Sequence, residues 1–273
     1  MRAWIDGDLL SDPTGPAVPV VDHGFTVGDG VFEAIKVVDG LPFALERHLA
    51  RLQRSAAGLG LPEVDLDAVR RGVRATVEGQ DLPLGRVRIT VTGGPAPLGS
   101  GRGDHPPTIV VVAAPMDPAA PTTTVATVPW PRNERGATAG LKTTSYAENV
   151  IALAEAKRRG ATEAVFANLQ GHLCEGTGSN VFYVVDGELR TPTLASGCLA
   201  GVTRALILEW YGGREVDEPL EVVAAASEIF LASTTRDVQG VSRWDGVELE
   251  APGPVTRDAL ATWRRREPEL LGL

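Results

Sequence analysis

Hydrophobic residues alternate with polar or small ones near the start of the chain. Ala3 to Ile5 and Leu9-Leu10 flank Asp6-Gly7-Asp8, and Val31 to Val38 and Leu41 to Ala44 flank Asp39-Gly40. An Asp-Gly pair tolerates the positive φ that a tight hairpin turn demands, so two hairpins are predicted. The apolar period then lengthens to three or four residues over Glu46 to Ala57 and Leu66 to Glu78, which predicts two helices. Alternation returns at Gly85 to Thr92 and Thr108 to Ala113, predicting strands. Between these two strands, Gly93 to Gly103 is too rich in glycine and proline for regular structure and predicts a mobile loop.

The proline-bearing run Pro115 to Pro121 is the best linker, giving an α+β domain over 1–115, a linker at 116–122 and a larger domain over 123–273. Thr123 to Val128 begins the second domain. Ser145 with Glu148 has capping-box spacing, and Ala147, Val150, Ile151 and Ala154 form one apolar stripe, predicting a helix that ends in Lys157-Arg158-Arg159 before Gly160. Short strands follow at Glu163 to Ala167, His172 to Glu175 and Val181 to Val185, separated by an Asn168 to Gly171 turn and closed by Asp186-Gly187. Further elements are a helix over 202–211, a helical pattern near Leu220 to Ala226, a strand at Ile229 to Ala232, a hairpin around Asp245-Gly246 and a last helix from Thr256 to Arg265.

Of 273 residues, 43% are hydrophobic, enough for a sizeable core, and the net charge of −9 argues against nucleic acid or an anionic membrane as partner. The longest apolar run, Ile109 to Pro115, is too short to span a bilayer and no signal-peptide core is evident, so a cytoplasmic location is expected. Cys174 and Cys198 have neither disulfide-framework nor zinc-ligand spacing, and no metal site is indicated.

Cations sharpen the picture. The chain has 3 lysines against 23 arginines, so Lys142, just before the helix, invites a chemical reason. Arginine cannot lose its proton at neutral pH, whereas a neutral lysine amine can attack a carbonyl. Glu175, at the end of a strand, precedes Gly176-Thr177-Gly178-Ser179-Asn180, where small residues let a flat ring approach the backbone and a carboxylate can hold a proton on a ring nitrogen. Three pieces suit an anion: Gly201-Val202-Thr203 at a helix start, Ser233-Thr234-Thr235 after a strand, and Arg51 on a helix.

Together, LK, EGTGSNVF, GVTR and STT, with HLARL upstream, resemble the class IV, fold-type IV pyridoxal-phosphate enzymes: branched-chain aminotransferases, D-amino-acid aminotransferases and 4-amino-4-deoxychorismate lyases. The likeness runs from WIDG near the start to GPVTR near the end. It implies a mixed α+β and α/β fold of two domains, like that of D-amino-acid aminotransferase, with the cofactor in the interdomain cleft. By the resemblance, Lys142 matches the Schiff-base lysine, Glu175 the ring-nitrogen partner and Arg51 the phosphate arginine. Val202, Thr203 and Thr234 match other phosphate contacts, Ser179 and Asn180 also fall in the cofactor set, and Phe32, Arg88, Tyr146 and Thr235 match substrate positions. Glu33 and Lys36 lie in the same substrate-lining stretch. The family implies a small-molecule amine substrate and a homodimer, with Val18, Val20 and Phe25 as candidate interface residues. Within the group, the short chain and Lys142-Thr143-Thr144-Ser145-Tyr146 with Glu148-Asn149 resemble the lyase branch, which releases 4-aminobenzoate and pyruvate. An aminotransferase is the alternative, and a non-catalytic binding protein the remote one.

Overall fold

The computed structural model describes residues 1–272 and divides into two compact units. The first comprises Met1–Pro118, Leu141–Ser145 and the last residues from Glu269; the second comprises Ala119–Gly140 and Tyr146–Pro268. The segment bearing Lys142 thus belongs to the first unit although most of its sequence neighbours belong to the second.

In the first unit, β1 (Arg2–Ile5), β2 (Asp8–Leu9), β3 (Gly30–Val38), β4 (Leu41–Pro42), β5 (Leu84–Thr92) and β6 (Ile109–Pro115) form an antiparallel sheet in the order β2-β1-β6-β5-β3-β4. A short helix, α1 (His23–Thr26), precedes β3, and α2 (Leu45–Leu59) and α3 (Leu66–Val77) follow β4. Val31, Ile35 and Val37 of β3 and Val87, Ile89 and Val91 of β5 share a core with Leu49, Leu52, Val69 and Val73 of the helices. Side chains alternate across a strand, so Phe32, Ala34 and Lys36 belong to the opposite face. In the antiparallel register they pair with Thr90, Arg88 and Arg86.

The predicted mobile loop carries firm tethers. Arg102 places Nε 2.7 Å from Asp29 Oδ2 and Nη2 2.6 Å from Asp29 Oδ1, and also donates to the carbonyls of Leu59 and Gly60.

The second unit holds β7 (Thr122–Thr127), α4 (Ala147–Arg158), β8 (Glu163–Ala167), β9 (Leu173–Gly176), β10 (Asn180–Val185), β11 (Glu188–Thr191), α5 (Val202–Trp210), β12 (Arg214–Glu215), β13 (Glu228–Ser233), β14 (Asp237–Trp244), β15 (Val247–Glu248) and α6 (Pro254–Arg266). The strand order is β12-β11-β10-β13-β14-β7-β8-β9, and β9 pairs again with β10 through Glu175 and Asn180. The strands from β10 round to β9 therefore close into a ring, with Glu175 at its seam. Val125, Val165, Leu173, Val181, Tyr183, Ile229, Leu231 and Val241 form a shared core.

Helix α4 corrects two expectations. Ser145 does not cap it: the Ser145 hydroxyl donates to Gly28 O at 3.2 Å, and the helix starts at Ala147 with Tyr146 as an N-cap residue lacking a side-chain cap bond. Tertiary contact with the Gly28 carbonyl has captured the hydroxyl. The anticipated stripe also faces outward, with Val150 66% and Ile151 56% exposed. Asn149, Ala152 and Ala156 are the buried positions, and the two alanines pack with Ala126, Ala164 and Phe166. Small residues bring the helix axis close to the strands, a preference that hydrophobicity alone does not register.

Candidate active site

Lys142 is fixed through its backbone. Its N–H donates to Ser55 Oγ at 3.2 Å and its carbonyl accepts the Phe32 N–H at 3.0 Å, while Val31 bridges Thr143. The Lys142 ammonium lies 4.3 Å from the centre of the Phe32 ring, and the Arg88 guanidinium lies 3.9 Å from the same centre. One aromatic side chain thus gathers an amine and a fixed cation on the sheet face opposite the core.

Behind that face, β3 turns Glu33 toward α2. Arg51 grips it through two 2.7 Å bonds, Nε to Oε1 and Nη2 to Oε2, and His48 Nδ1 lies 2.7 Å from Oε2. Glu33 and His48 are fully buried, and Arg51 is buried beside them. Burial would raise the Glu33 carboxyl, yet Arg51 and His48 outweigh it and hold the group down at about 2. Burial lowers His48, and although Glu33 opposes this, the net shift is downward. A carboxylate can only accept, so the neutral imidazole donates from Nδ1.

In the second unit, Glu175 Oε2 accepts the Leu199 N–H at 2.9 Å, and Oε1 lies 3.2 Å from Arg132 Nε. Arg132 Nη1 donates to Asn149 Oδ1 at 3.0 Å, and the guanidinium lies 4.1 Å from the Phe166 ring centre. Asn149 Nδ2 in turn donates to the Thr177 carbonyl. Buried Glu163 accepts from the Thr177 N–H and hydroxyl, from Ser179 Oγ at 3.4 Å and from Arg236 Nη2 at 3.1 Å. It ties the turn after Glu175 to the residue just after Ser233-Thr234-Thr235.

Asn180 Nδ2 donates to the Leu199 carbonyl at 2.9 Å, close to the start of α5. A Cβ on Gly201 would stand 2.0 Å from Asn180 Oδ1, so any larger residue there would displace the Asn180 side chain. Val202 and Thr203 open α5 and are buried. Thr234 and Thr235 are half-buried in the turn after β13, where Ala232 pairs with Asn180. Tyr146 stands at the start of α4.

The expected residues consequently form two groups: Phe32, Arg51, Arg88 and Lys142 in the first unit, and Tyr146, Glu175, Ser179, Asn180, Val202, Thr203, Thr234 and Thr235 in the second. His48, Asn149, Glu163 and Arg236 were not anticipated. A lone acid in the apolar run Glu-Ala-Val-Phe-Ala was the one sequence signal for Glu163. The cysteines contribute no thiolate: burial pushes Cys174 up strongly, and Cys198 up to about 11. Among the described residues, no cluster of three or more His, Cys, Asp or Glu is placed to hold a metal ion, and no helix is long and apolar enough to cross a membrane.

The model of the family Amino-transferase class IV matches residues 30–244. The chain belongs to this family. A Methanocaldococcus jannaschii protein provisionally named a branched-chain-amino-acid aminotransferase is 32% identical, over 94% of this chain and 93% of its own. A bifunctional aminodeoxychorismate lyase / D-amino acid transaminase of Mycobacterium tuberculosis is 31% identical over 77% of each chain. A solved fold IV-transaminase from Curtobacterium pusillum is 33% identical, with a TM-score of 0.81 covering 93% of this chain and 92% of that one. Each of these names carries a transaminase activity and one adds the lyase, so the aminotransferase alternative is better supported than the lyase expectation.

As a class IV aminotransferase the protein is an enzyme of fold type IV that uses pyridoxal phosphate. Its residues fit that group. In the second unit Glu175 has a carboxylate with both oxygens held and α5 has an N-terminus with free N–H groups; the first unit, by itself, carries the Lys142 amine. The buried Ser233 hydroxyl, beside Thr234, has no hydrogen-bond partner among the described residues and suits a phosphate oxygen.

Proposed function

We propose that the enzyme moves amino groups between an amino acid and a 2-oxo acid. The observation that carries this reading is the shared Phe32 ring, which holds an amine and a guanidinium on one face of the sheet. An amino or oxo acid presents a carboxylate beside its reacting carbon, and an arginine next to the reacting amine suits such a substrate. When bound, pyridoxal phosphate supplies an aldehyde and a ring that stores an electron pair. In this reading Lys142 would be the amine that holds the aldehyde and the base that moves the proton at the substrate's reacting carbon. Glu175 would hold the proton on the ring nitrogen. Arg51, Val202, Thr203 and Thr234 serve the phosphate end with Ser179 and Asn180 shaping the cofactor bed, and Phe32, Arg88, Tyr146 and Thr235 meet the substrate.

The lyase reaction is the second reading, supported by the bifunctional relative. It would need the same lysine and carboxylate, with the substrate losing its enolpyruvyl group, which takes up a proton to become pyruvate, in place of transferring its amino group. One assay separates the two: aminodeoxychorismate turnover scored for 4-aminobenzoate and pyruvate, beside a panel of branched-chain and D-amino acids with 2-oxoglutarate or pyruvate. Transamination without 4-aminobenzoate is the expected result, and 4-aminobenzoate alone would overturn it. The working form is proposed to be a homodimer, a reading supported by exposed Val20, Phe25 and Leu98.

A further inference from the structure

The sequence leaves Arg132 open between a solvated loop and a functional residue, and its surroundings in the structure are built. Its N–H donates to the Ala167 carbonyl at 2.7 Å and it bridges Asn168, so its Cα is fixed against the end of β8. Its side chain is 17% exposed. Phe166 supports the guanidinium plane, Asn149 takes Nη1, and Nε lies against Glu175 Oε1 at 3.2 Å as an ion pair rather than a well-aligned hydrogen bond. Asn149 also holds the Thr177 carbonyl, so the guanidinium and the turn after Glu175 share one support. Glu148 lies 3.8 Å away but is 79% exposed, where solvent weakens its claim on Arg132.

A carboxylate offers about four lone-pair sites. Leu199 N–H holds Oε2 and Arg132 sits beside Oε1, so the direction of both oxygens is set. Arginine keeps its proton at any working pH, so it cannot neutralise Glu175 by proton transfer, as a lysine or histidine there could.

We propose that Arg132, held by Asn149 and Phe166, is a positioning residue that aims the Glu175 carboxylate at the cofactor's ring nitrogen and keeps its acceptor oxygen in place. This rests on the proposed pairing of Glu175 with that nitrogen. Removing Arg132 should therefore weaken recognition of the nitrogen in particular, while a structural role alone would weaken the hairpin and all binding equally.

The test compares binding of pyridoxal phosphate with that of its 1-deaza analogue, in which carbon replaces the ring nitrogen, to the apo-protein by fluorescence titration. The wild-type protein should prefer the nitrogen-bearing compound by roughly tenfold or more, as expected of a charge-assisted hydrogen bond. Arg132→Gln should reduce that preference toward unity with little change in affinity for the deaza compound. Asn149→Ala, which leaves the charge and removes one support, should reduce it partially and covers the case in which the first variant fails to fold. An undiminished preference in the folded variants, whatever their melting temperature, overturns the proposal. Glu175→Gln distinguishes the two layers: if the preference survives that change, the pairing of Glu175 with the nitrogen is wrong, and Arg132 is not the reason.

Discussion

Glu33 keeps a negative charge in a place where burial disfavours one, because Arg51 and His48 are already in position to receive it. Its folded-state value of about 2 lies below the unfolded one, so its contribution is present above roughly pH 4.5 and is lost as pH falls toward 2. The contribution is about 3 kcal/mol from the size of the shift. Urea titrations between pH 7 and pH 3 should show this loss in the wild type. Glu33→Gln, which strands the Arg51 charge, should be less stable at pH 7 by about 3–5 kcal/mol, with the gap narrowing in acid. At Lys142, Lys142→Ala should abolish turnover while leaving the melting temperature nearly unchanged, since the side chain is not a core group. Mass spectrometry after borohydride reduction should place the cofactor on Lys142, and finding it on Lys36 or Lys157 would sink the assignment. Glu175→Gln should bind cofactor yet slow turnover by orders of magnitude, about 3 kcal/mol or more in barrier. Lys142 and Glu175 stand out in the sequence because a scarce residue type and a glycine-rich neighbourhood mark them, and the proposed roles rest on that mark. Glu163 does not, because its meaning lies in a partner, Arg236, 73 positions away, a separation no local pattern encodes.

Elements were legible where the local signal and the tertiary demand agree. The Asp186-Gly187 turn has positive φ at both residues, 53° and 78°, as its hairpin requires. Helix α4 is the counterexample: its strongest apolar stripe faces away from the packed side, whose alanines offer close approach instead of area. Ile151→Gln should therefore change the stability of the monomer by less than about 0.5 kcal/mol. Ala152→Leu, at a fully buried position, should cost about 1–3 kcal/mol by overpacking, both measured by thermal or chemical unfolding. The loop at Gly93 to Gly103 adds a pH dependence. His23 Nδ1 faces Asp29 Oδ2 at 2.9 Å and Nε2 faces Gly99 O at 2.8 Å, so serving both acceptors needs both ring protons. The hydrogen bond with Asp29 is the main cause that raises His23, although Arg102 opposes it. The tether is complete below the ordinary histidine value and is lost as pH rises through the raised one. Trypsin cleavage after Arg102 should speed up across that range relative to His23→Gln, in which the loop lacks the protonated latch at every pH.

At the scale of the whole molecule, the ring of strands was hidden from sequence because β7 pairs β14 across more than one hundred residues, and parallel pairs leave no hairpin turn to mark them. Self-association is the remaining question at this scale. Val20, Phe25 and Leu98 are 78%, 77% and 82% exposed, and they are neighbours in the fold: Ala96 N–H donates to the Val21 carbonyl and Asp22 bridges Pro95. A stable interface buries about 1,200–2,000 Å² in total, and a large aromatic side chain supplies about 150–250 Å², so these residues would form only the centre of a two-fold contact. A charge at such a centre would be desolvated without a partner, a far larger penalty than the lost area. Phe25→Asp should therefore weaken the dimer at least about tenfold while the isolated chain stays folded, since the ring contributes little to the core. Light scattering and turnover measured over the same dilution series should fall together, and at higher protein concentration in the variant than in the wild type. A wild-type monomer with full activity at every concentration would overturn the link, and would mean that a single chain completes its own substrate site.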